Sequence, residues 1–171
     1  MLPRKLVPDS FDVPTVVEGN GFKLVPLGYP LMMKDFDAYM SSVEYLKGHA
    51  APGHSWPEGS TLEDAIIDIG WVEQSWRHRA AFSYAVMTPD ESVERACVYV
   101  YPSLKLGYEA QGHLWVRESE VAGGFDAELY TWTRDWVRDA WPFHFERVGW
   151  PGRETPWGEW EALPDKDPME L

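Results

Sequence analysis

Residues 82–117 read FSYAVMTPDESVERACVYVYPSLKLGYEAQGHLWVR, and this stretch decides the fold. Side chains alternate between two faces through Ala81–Met87, Glu94–Tyr101 and Tyr108–Arg117, which is the period of a β-strand. The turn-forming segments TPDES and PSLKLG separate these three runs. The stretch therefore predicts three consecutive strands, with a hairpin between the first two.

A helix is predicted directly after the third strand, where residues 118–137 read ESEVAGGFDAELYTWTRDWV. Asp126 is a good N-cap residue, and Trp141-Pro142 ends the helical pattern. Its buried face is predicted to carry Leu129, Trp132, Trp136 and Ala140. A glycine pair, Gly123-Gly124, lies between the strand and the helix. Such a turn is a common site for phosphate groups, because the first N–H groups of a helix attract anions.

Upstream of this stretch, the sequence predicts one strand and two helices. Phe22–Leu27 suits a short edge strand, and Pro30–Lys47 has helical spacing that ends before a glycine. The second helix opens with a capping box that begins at Ser60, and the helix should end near Arg79. Its apolar stripe is predicted to comprise Leu62, Ala65, Ile66, Ile69, Val72 and Trp76.

The remaining segments define the domain boundaries. Phe145–Trp150 is predicted to be a further short strand, and residues after it an aromatic loop with an acidic end. A length of 171 residues fits one domain. We therefore expect an N-terminal arm at 1–20, one α/β domain at 21–153 and an acidic C-terminal tail at 154–171. The predicted order of elements is β-α-α-β-β-β-α-β.

The chain is strongly acidic, with 28 acidic and 15 basic residues and a net charge of −13. Such a surface repels phosphate backbones and anionic lipids, so nucleic acid and membranes are not expected partners. It would attract a cationic or amine-bearing substrate, although the same charge also serves plain solubility. Cys97 is the only cysteine, and no apolar run suits a signal peptide or a membrane span. A cytoplasmic protein is expected.

Aromatic residues make up 15% of the chain, including ten tryptophans. Large rings most often build the core, but some of them could line a ligand cleft. Other clusters are weaker. His49 and His54 lie on one loop without a cysteine or nearby carboxylates, so no metal site is expected.

The order of elements and several segments resemble the GCN5-related N-acetyltransferases (GNAT). The segments are FKLVPL, WPEGSTLEDAI, FSYAVMTPDES, ACVYVYP, WVRES and WPFHFERVGWPGR, which together span about residues 22–153. This resemblance implies an α/β (α+β) fold with a mixed, mostly antiparallel central sheet flanked by helices. It also implies transfer of an acetyl group from acetyl-CoA, held between the fourth and fifth strands, to an amine.

The resemblance also implies where acetyl-CoA would bind. The end of the fourth strand, expected to hydrogen-bond the pantetheine, comprises Trp115, Val116 and Arg117. The loop expected to hold the pyrophosphate includes Gly123, Gly124 and Phe125. The family pattern in this loop is Q/R-x-x-G-x-G/A. Here the glycine spacing departs from it, and two glutamates lie within the loop.

A base on the fourth strand is expected to deprotonate the amine. Glu109 and His113 share one face of this strand, and His113 has the better-matched ordinary pKa. If the opposite face lines the cleft, neither residue is a candidate. Tyr99 could donate a proton to the leaving thiolate. For each of these residues, an ordinary solvated, hydrogen-bonded or packed strand position is the alternative.

Two functions remain open from the sequence. The first is an N-acetyltransferase acting on a small amine-bearing substrate, which the predicted fold and the helix N-terminus favour. The second is a non-catalytic protein with this fold that binds a small molecule or a protein through an aromatic cleft. The irregular loop, the acidic start of the helix and the net charge favour the second. A homodimer is possible under either.

Overall fold

The computed structural model describes residues 4–167, so the start of the predicted arm and the end of the predicted tail lie outside the described residues. A six-stranded sheet forms the centre of the molecule, and its strands lie side by side in chain order. They are β1 (Val17–Glu18), β2 (Lys23–Pro26), β3 (Phe82–Met87), β4 (Glu94–Pro102), β5 (Ala110–Val116) and β6 (Val148–Gly149). All neighbours pair antiparallel except β5 and β6, which are parallel. The predicted fold class is confirmed.

Helices cover both faces of the sheet. They are α1 (Met32–Met40), α2 (Val43–Leu46), α3 (Leu62–Arg77), α4 (Glu118–Val121), α5 (Phe125–Ala140) and α6 (Trp157–Ala162). One face of strands β3 to β5 packs with α5 in a core that includes Tyr84, Val98 and Leu129. The other face packs with α1 and α3 around Ala85, Cys97 and Ile69. Within residues 4–167, no helix has the length and hydropathy that a membrane crossing requires.

The capping box of α3 lies one residue later than predicted. Thr61 is the N-cap; its hydroxyl accepts the Asp64 N–H at 3.2 Å, and the Asp64 carboxylate accepts the Thr61 N–H at 2.8 Å. The predicted apolar stripe is also too wide. Leu62 and Ile66 are exposed, because the face turned to the sheet is centred on Ala65, Ile69 and Val72.

The helix predicted at Pro30–Lys47 is interrupted. The hydroxyls of Ser41 and Ser42 both donate to the carbonyl of Ala38, at 2.8 and 3.1 Å. Serine side chains that bond the backbone in this way compete with helical hydrogen bonds. The segment consequently forms a 3-10 turn at Tyr29–Leu31 and then two helices, α1 and α2.

The segment between β5 and α5 is shorter and more helical than predicted. α5 begins at Phe125 with Gly124 as its N-cap, so the prediction of Asp126 as the cap is wrong. Gly124 has a φ of +78°, a conformation that favours glycine. Phe125 is buried and packs edge-on against Phe22, which fixes the first turn of the helix. The predicted loop also contains the short helix α4.

The C-terminal segment also differs from the prediction. The strand expected at Phe145–Trp150 is a 3-10 turn, Phe145–Arg147, followed by the two-residue strand β6. The loop expected after it contains α6, whose Trp160 is buried against Gly149 and leaves no room there for a Cβ atom. The close approach of ring and backbone requires glycine at this position.

Candidate functional site

A pocket of about 420 Å³ lies between the sheet and helices α1 and α3. Its size is within the range of small-molecule sites. Six aromatic side chains line it, namely Tyr39, Trp56, Trp71, Tyr99, Tyr101 and Trp115. The sequence predicted that some aromatic residues could line a cleft, and the structure identifies which ones do.

The inner aromatic wall joins α1, the loop before α3 and strand β5. The ring centroids of Tyr39 and Trp56 are 5.3 Å apart, and those of Trp56 and Trp115 are 5.9 Å apart. Trp115 Nε1 donates a hydrogen bond to the Tyr99 hydroxyl at 2.8 Å. These contacts fix the rings relative to one another, so the wall is preorganised.

The outer part of the wall continues toward solvent. The ring centroids of Tyr99 and Tyr101 are 5.3 Å apart, and Tyr101 meets Trp71 of α3 edge-on at 6.0 Å. Trp71 is 53% exposed, which is unusual for so large an apolar side chain. Its exposed ring forms part of the pocket mouth.

Two carboxylates accompany the rings, Asp35 on α1 and Asp68 on α3. Burial raises the pKa of Asp35 to about 6; a hydrogen bond with Glu94 acts in the opposite direction, and the charge of Asp68 adds to the increase. Burial and the charge of Asp64 raise the pKa of Asp68. Aromatic faces and carboxylates together attract a cation.

His113 lies on the pocket face of β5. Its ring stacks on Trp157 with centroids 6.2 Å apart, and its Nε2 lies 2.9 Å from the amide nitrogen of Gln111. Burial and the charge of Arg153 lower the pKa of His113 to about 4. The imidazole is therefore neutral at neutral pH. Of the two faces that the sequence left open, the one with His113 and Trp115 faces the pocket.

Glu109 lies apart from the aromatic pocket, just before β5. Its carboxylate accepts the backbone N–H of His144 at 2.8 Å and lies 3.6 Å from Arg147. Burial acts to raise the pKa of Glu109, but the hydrogen bonds from His144 and the charge of Arg147 outweigh it and lower the pKa. The structure thus separates Glu109 from His113, and the two do not form one catalytic group.

The sequence analysis did not identify Asp35, Asp68, Trp56 or Trp71. One signal was available, since Asp35 and Tyr39 are one helical turn apart and so share a face of α1. The positions of Trp56 and Trp71 had no such signal, because a loop and a separate helix bring them to the same pocket.

Strands β5 and β6 pair at only two positions, Ala110 with Val148 and Gln111 with Gly149, and then separate. The resemblance implies an acetyl-CoA site at this separation. Trp115 and Val116 are buried, and the Val116 backbone pairs with β4.

Arg117, expected at the pantetheine-binding end of the fourth strand, where the loop to the pyrophosphate begins, points to α1 instead. Its guanidinium donates to Asp37 at 2.6 Å, to the Ser41 hydroxyl at 3.0 Å and to the carbonyl of Glu94. The next backbone donor is also engaged, since the N–H of Glu118 bonds the Ser42 hydroxyl at 2.9 Å. Neither group is available to a phosphate without breaking these bonds.

The N-terminus of α5 is also occupied by internal ion pairs. Arg153 donates two hydrogen bonds to Asp126, at 2.8 and 3.0 Å. Arg95 pairs with Glu120 at 2.7 Å and stacks over the Phe125 ring. The carboxylates around this helix start are Glu118, Glu120, Asp126 and Glu128.

These residues do not fit the pyrophosphate of acetyl-CoA. Three arginines in this region, Arg95, Arg117 and Arg153, each pair with a carboxylate of the chain. Gly123 and Gly124 lie between α4 and α5, where the surrounding charge is acidic and competes with an anion for the helix dipole. No step of a reaction can be assigned to the cofactor on this geometry.

Comparisons with known proteins identify the fold. No protein-family model matches the sequence, and no curated protein sequence matches it. Solved structures do match. A ribosomal-protein-S5-alanine acetyltransferase from Vibrio fischeri superposes with a TM-score of 0.58 at 14% identity, covering 74% of this chain and 69% of that one.

Two other structures agree. A Bordetella pertussis protein assigned to the GNAT acetyltransferases has a TM-score of 0.58 at 13% identity, covering 77% of this chain and 75% of its own. A chimera built on a spermidine N-acetyltransferase from Vibrio cholerae has a TM-score of 0.52 at 10% identity, covering 73% and 68%. The sheet order, the separation of β5 from β6 and these superpositions lead to one conclusion: the chain has the GNAT fold.

Proposed function

We propose that the aromatic pocket binds a small molecule that carries a cationic amine group. One observation supports this function above all: six aromatic rings and two carboxylates, Asp35 and Asp68, line the same pocket. A cation over an aromatic face gains about 0.5–2 kcal/mol, depending on its desolvation. The net charge of −13 adds a long-range attraction for the same ligand.

Neutral His113 is compatible with this ligand, because it adds no positive charge to the pocket wall. The Trp115 indole N–H is satisfied by the Tyr99 hydroxyl, so the indole presents its ring to the pocket rather than a free polar group. One of the proteins with the same fold is, by its name, a spermidine N-acetyltransferase, and spermidine is an amine. A fold-level likeness of this kind supports the ligand class only by analogy.

Acetyl transfer to the bound amine is the second candidate function. The separation of β5 and β6 and the acetyltransferases among the structural neighbours favour it. The ion-paired, acidic loop at the start of α5 argues against it. The roles predicted for His113 as base and Tyr99 as acid stay predictions, and a pKa of about 4 makes His113 a weak base. The homodimer and the boundaries at residues 21 and 153 also stay predictions.

Calorimetric titration with butylamine and with butyltrimethylammonium tests the binding function. Both are cations near neutral pH, and we expect both to bind. Replacing the exposed ring in Trp71→Ala should weaken binding about three- to thirtyfold, which corresponds to the loss of one cation–aromatic contact. The matched control is Ile67→Ala, which removes an exposed apolar side chain from the same helix outside the pocket lining. Equal loss in both variants, or no binding by either probe, would contradict the proposal.

Titration with acetyl-CoA separates the two candidate functions. We expect no measurable binding at about 1 mM, where a standard free energy of about −4 kcal/mol would suffice for half-saturation. Micromolar binding together with mass-spectrometric detection of N-acetylbutylamine would establish acetyl transfer. That result would leave the amine-binding proposal intact and would refute our assignment of the loop.

A further inference from the structure

A pair of carboxyl groups, one partly buried and one fully buried, adjoins the pocket. Asp35 of α1 lines the pocket, and Glu94 of β4 is fully buried beside it. One carboxyl oxygen of each residue and the Cys97 sulfur all lie within 4.8 Å of one another. Among the described residues, no N–H or hydroxyl group donates to either carboxyl oxygen of Glu94. A buried carboxyl group without such donors requires an explanation.

The cations near this pair are engaged elsewhere. Lys34 donates to the carbonyl of Glu91 at 2.6 Å, and the Arg117 guanidinium bonds Asp37, Ser41 and a backbone carbonyl. Within residues 4–167, the pair therefore has two acidic groups and no side-chain cation bonded to its carboxyl oxygens. The other ionisable groups that face it are Tyr39 of α1, Asp68 of α3, and Cys97, Tyr99 and Tyr101 of β4.

Burial of two neighbouring acids favours the retention of a proton. Burial raises the pKa of Glu94 well above its ordinary value, and the Asp35 charge and hydrogen bond raise it further. Arg117 and Lys34 oppose this increase but do not reverse it. Burial also raises the pKa of Asp35 to about 6. The free protein thus keeps a proton on the pair at pH values where exposed carboxyl groups have lost theirs.

We propose that the Asp35–Glu94 pair receives the cationic end of the ligand and releases a proton when the ligand binds. This inference rests on the amine-binding function proposed above. The exchange balances. Before binding, the ligand is a free cation and the pair holds a proton; after binding, the cation lies beside the pair, which has one more negative charge, and the proton has passed to the solvent. The cation supplies the positive charge that the protein does not place at these oxygens. Ligand affinity consequently rises with pH until the pair of the free protein has lost its proton.

Butyltrimethylammonium is the best probe, because its charge does not change with pH and any proton released must come from the protein. Calorimetry at about pH 6 in two buffers of different ionisation enthalpy measures the number of protons released. We expect between about 0.5 and 1 proton per ligand, and an affinity up to about tenfold higher at pH 7 than at pH 5.

Two variants locate the source of the proton. Asp35→Asn should weaken binding and remove most of its pH dependence. Glu63→Gln makes the same change of charge outside the pocket lining, and we expect it to keep the wild-type affinity and the wild-type pH dependence. If Asp35→Asn does not fold, Glu94→Gln serves instead, and we expect it to release fewer protons. The proposal rests on wild-type proton release in either case.

Three results would overturn the inference. Binding with no proton release and with equal affinity at both pH values would refute it while leaving amine binding established. No binding at all would refute amine binding and, with it, this inference. One tightly bound divalent metal ion per chain in the purified protein, lost in Asp35→Asn, would make the carboxyl pair a metal site instead.

Discussion

At the scale of single residues, Glu94 has an unusual environment next to the candidate site. It is fully buried, its pKa is raised, and no described N–H or hydroxyl group donates to its carboxyl oxygens. In the unfolded chain this group loses its proton near pH 4, whereas in the folded protein it keeps the proton to a higher pH. The folded state then binds more protons than the unfolded state, so Glu94 destabilises the protein as the pH rises through this window.

Glu94→Gln should therefore become more stable relative to wild type as the pH rises from about 5 to about 8. Glutamine has the same shape and cannot ionise. We expect this gain to grow across the whole range, since only the wild-type side chain changes its ionisation. Urea denaturation at several pH values measures this gain. His49 and His113 have lowered pKa values, so they stabilise the folded state as the pH rises. Both proteins contain these histidines, so their contribution cancels when the two free energies of unfolding are subtracted at each pH.

A constant stability difference at all pH values would show that Glu94 does not retain its proton in the folded protein.

The sequence could not predict the environment of Glu94. Alternation along β4 fixes which side chains share a face, but the neighbours of Glu94 include Asp35 and Arg117, which the fold brings from two distant segments. The same holds for the pocket face of β5. The period of two defined both faces, and only the packing of α1 and α3 shows which one lines the pocket.

At the scale of elements, helix α3 depends on its N-cap. The Thr61 hydroxyl and the Asp64 carboxylate satisfy each other's backbone N–H groups. α3 carries Asp68 and Trp71 of the pocket, so its stability also positions the site. Thr61→Ala should lower the free energy of unfolding by about 1 kcal/mol. The same urea experiment on Ser60→Ala is the control, because Ser60 makes no capping bond and we expect a change below about 0.5 kcal/mol.

A larger effect of Ser60→Ala than of Thr61→Ala would support the capping box as the sequence predicted it.

The sequence predicted every strand of the central hairpins and all three long helical regions, because their periodicity extends over many residues. It misplaced the ends of elements. Ser60 and Thr61 are both favoured caps by residue type, and only the reciprocal bonds between Thr61 and Asp64 show which one is used. The break between α1 and α2 depends on two serine side chains that bond the backbone.

At the scale of the whole molecule, the fold class followed from the succession of elements, and the structural comparisons agree with it. The ligand of the site could not be predicted from the succession of elements. The ion pair of Arg153 with Asp126 and the hydrogen bond of the Glu118 N–H to the Ser42 hydroxyl join segments far apart in the chain. Local patterns carry no information about such contacts. These contacts lead us to assign the molecule an amine ligand and not acetyl-CoA.

The indole N–H signals of the ten tryptophans provide the most direct test of the aromatic pocket. We would titrate ¹⁵N-labelled protein with butyltrimethylammonium and follow these signals in a two-dimensional NMR spectrum. We expect the largest shifts at Trp56, Trp71 and Trp115, which line the pocket. Trp132, Trp136 and Trp141, which pack on the opposite face of the sheet, should not move. Saturable shifts confined to the first group would establish the site, whereas no shifts, or shifts centred on the second group, would contradict it.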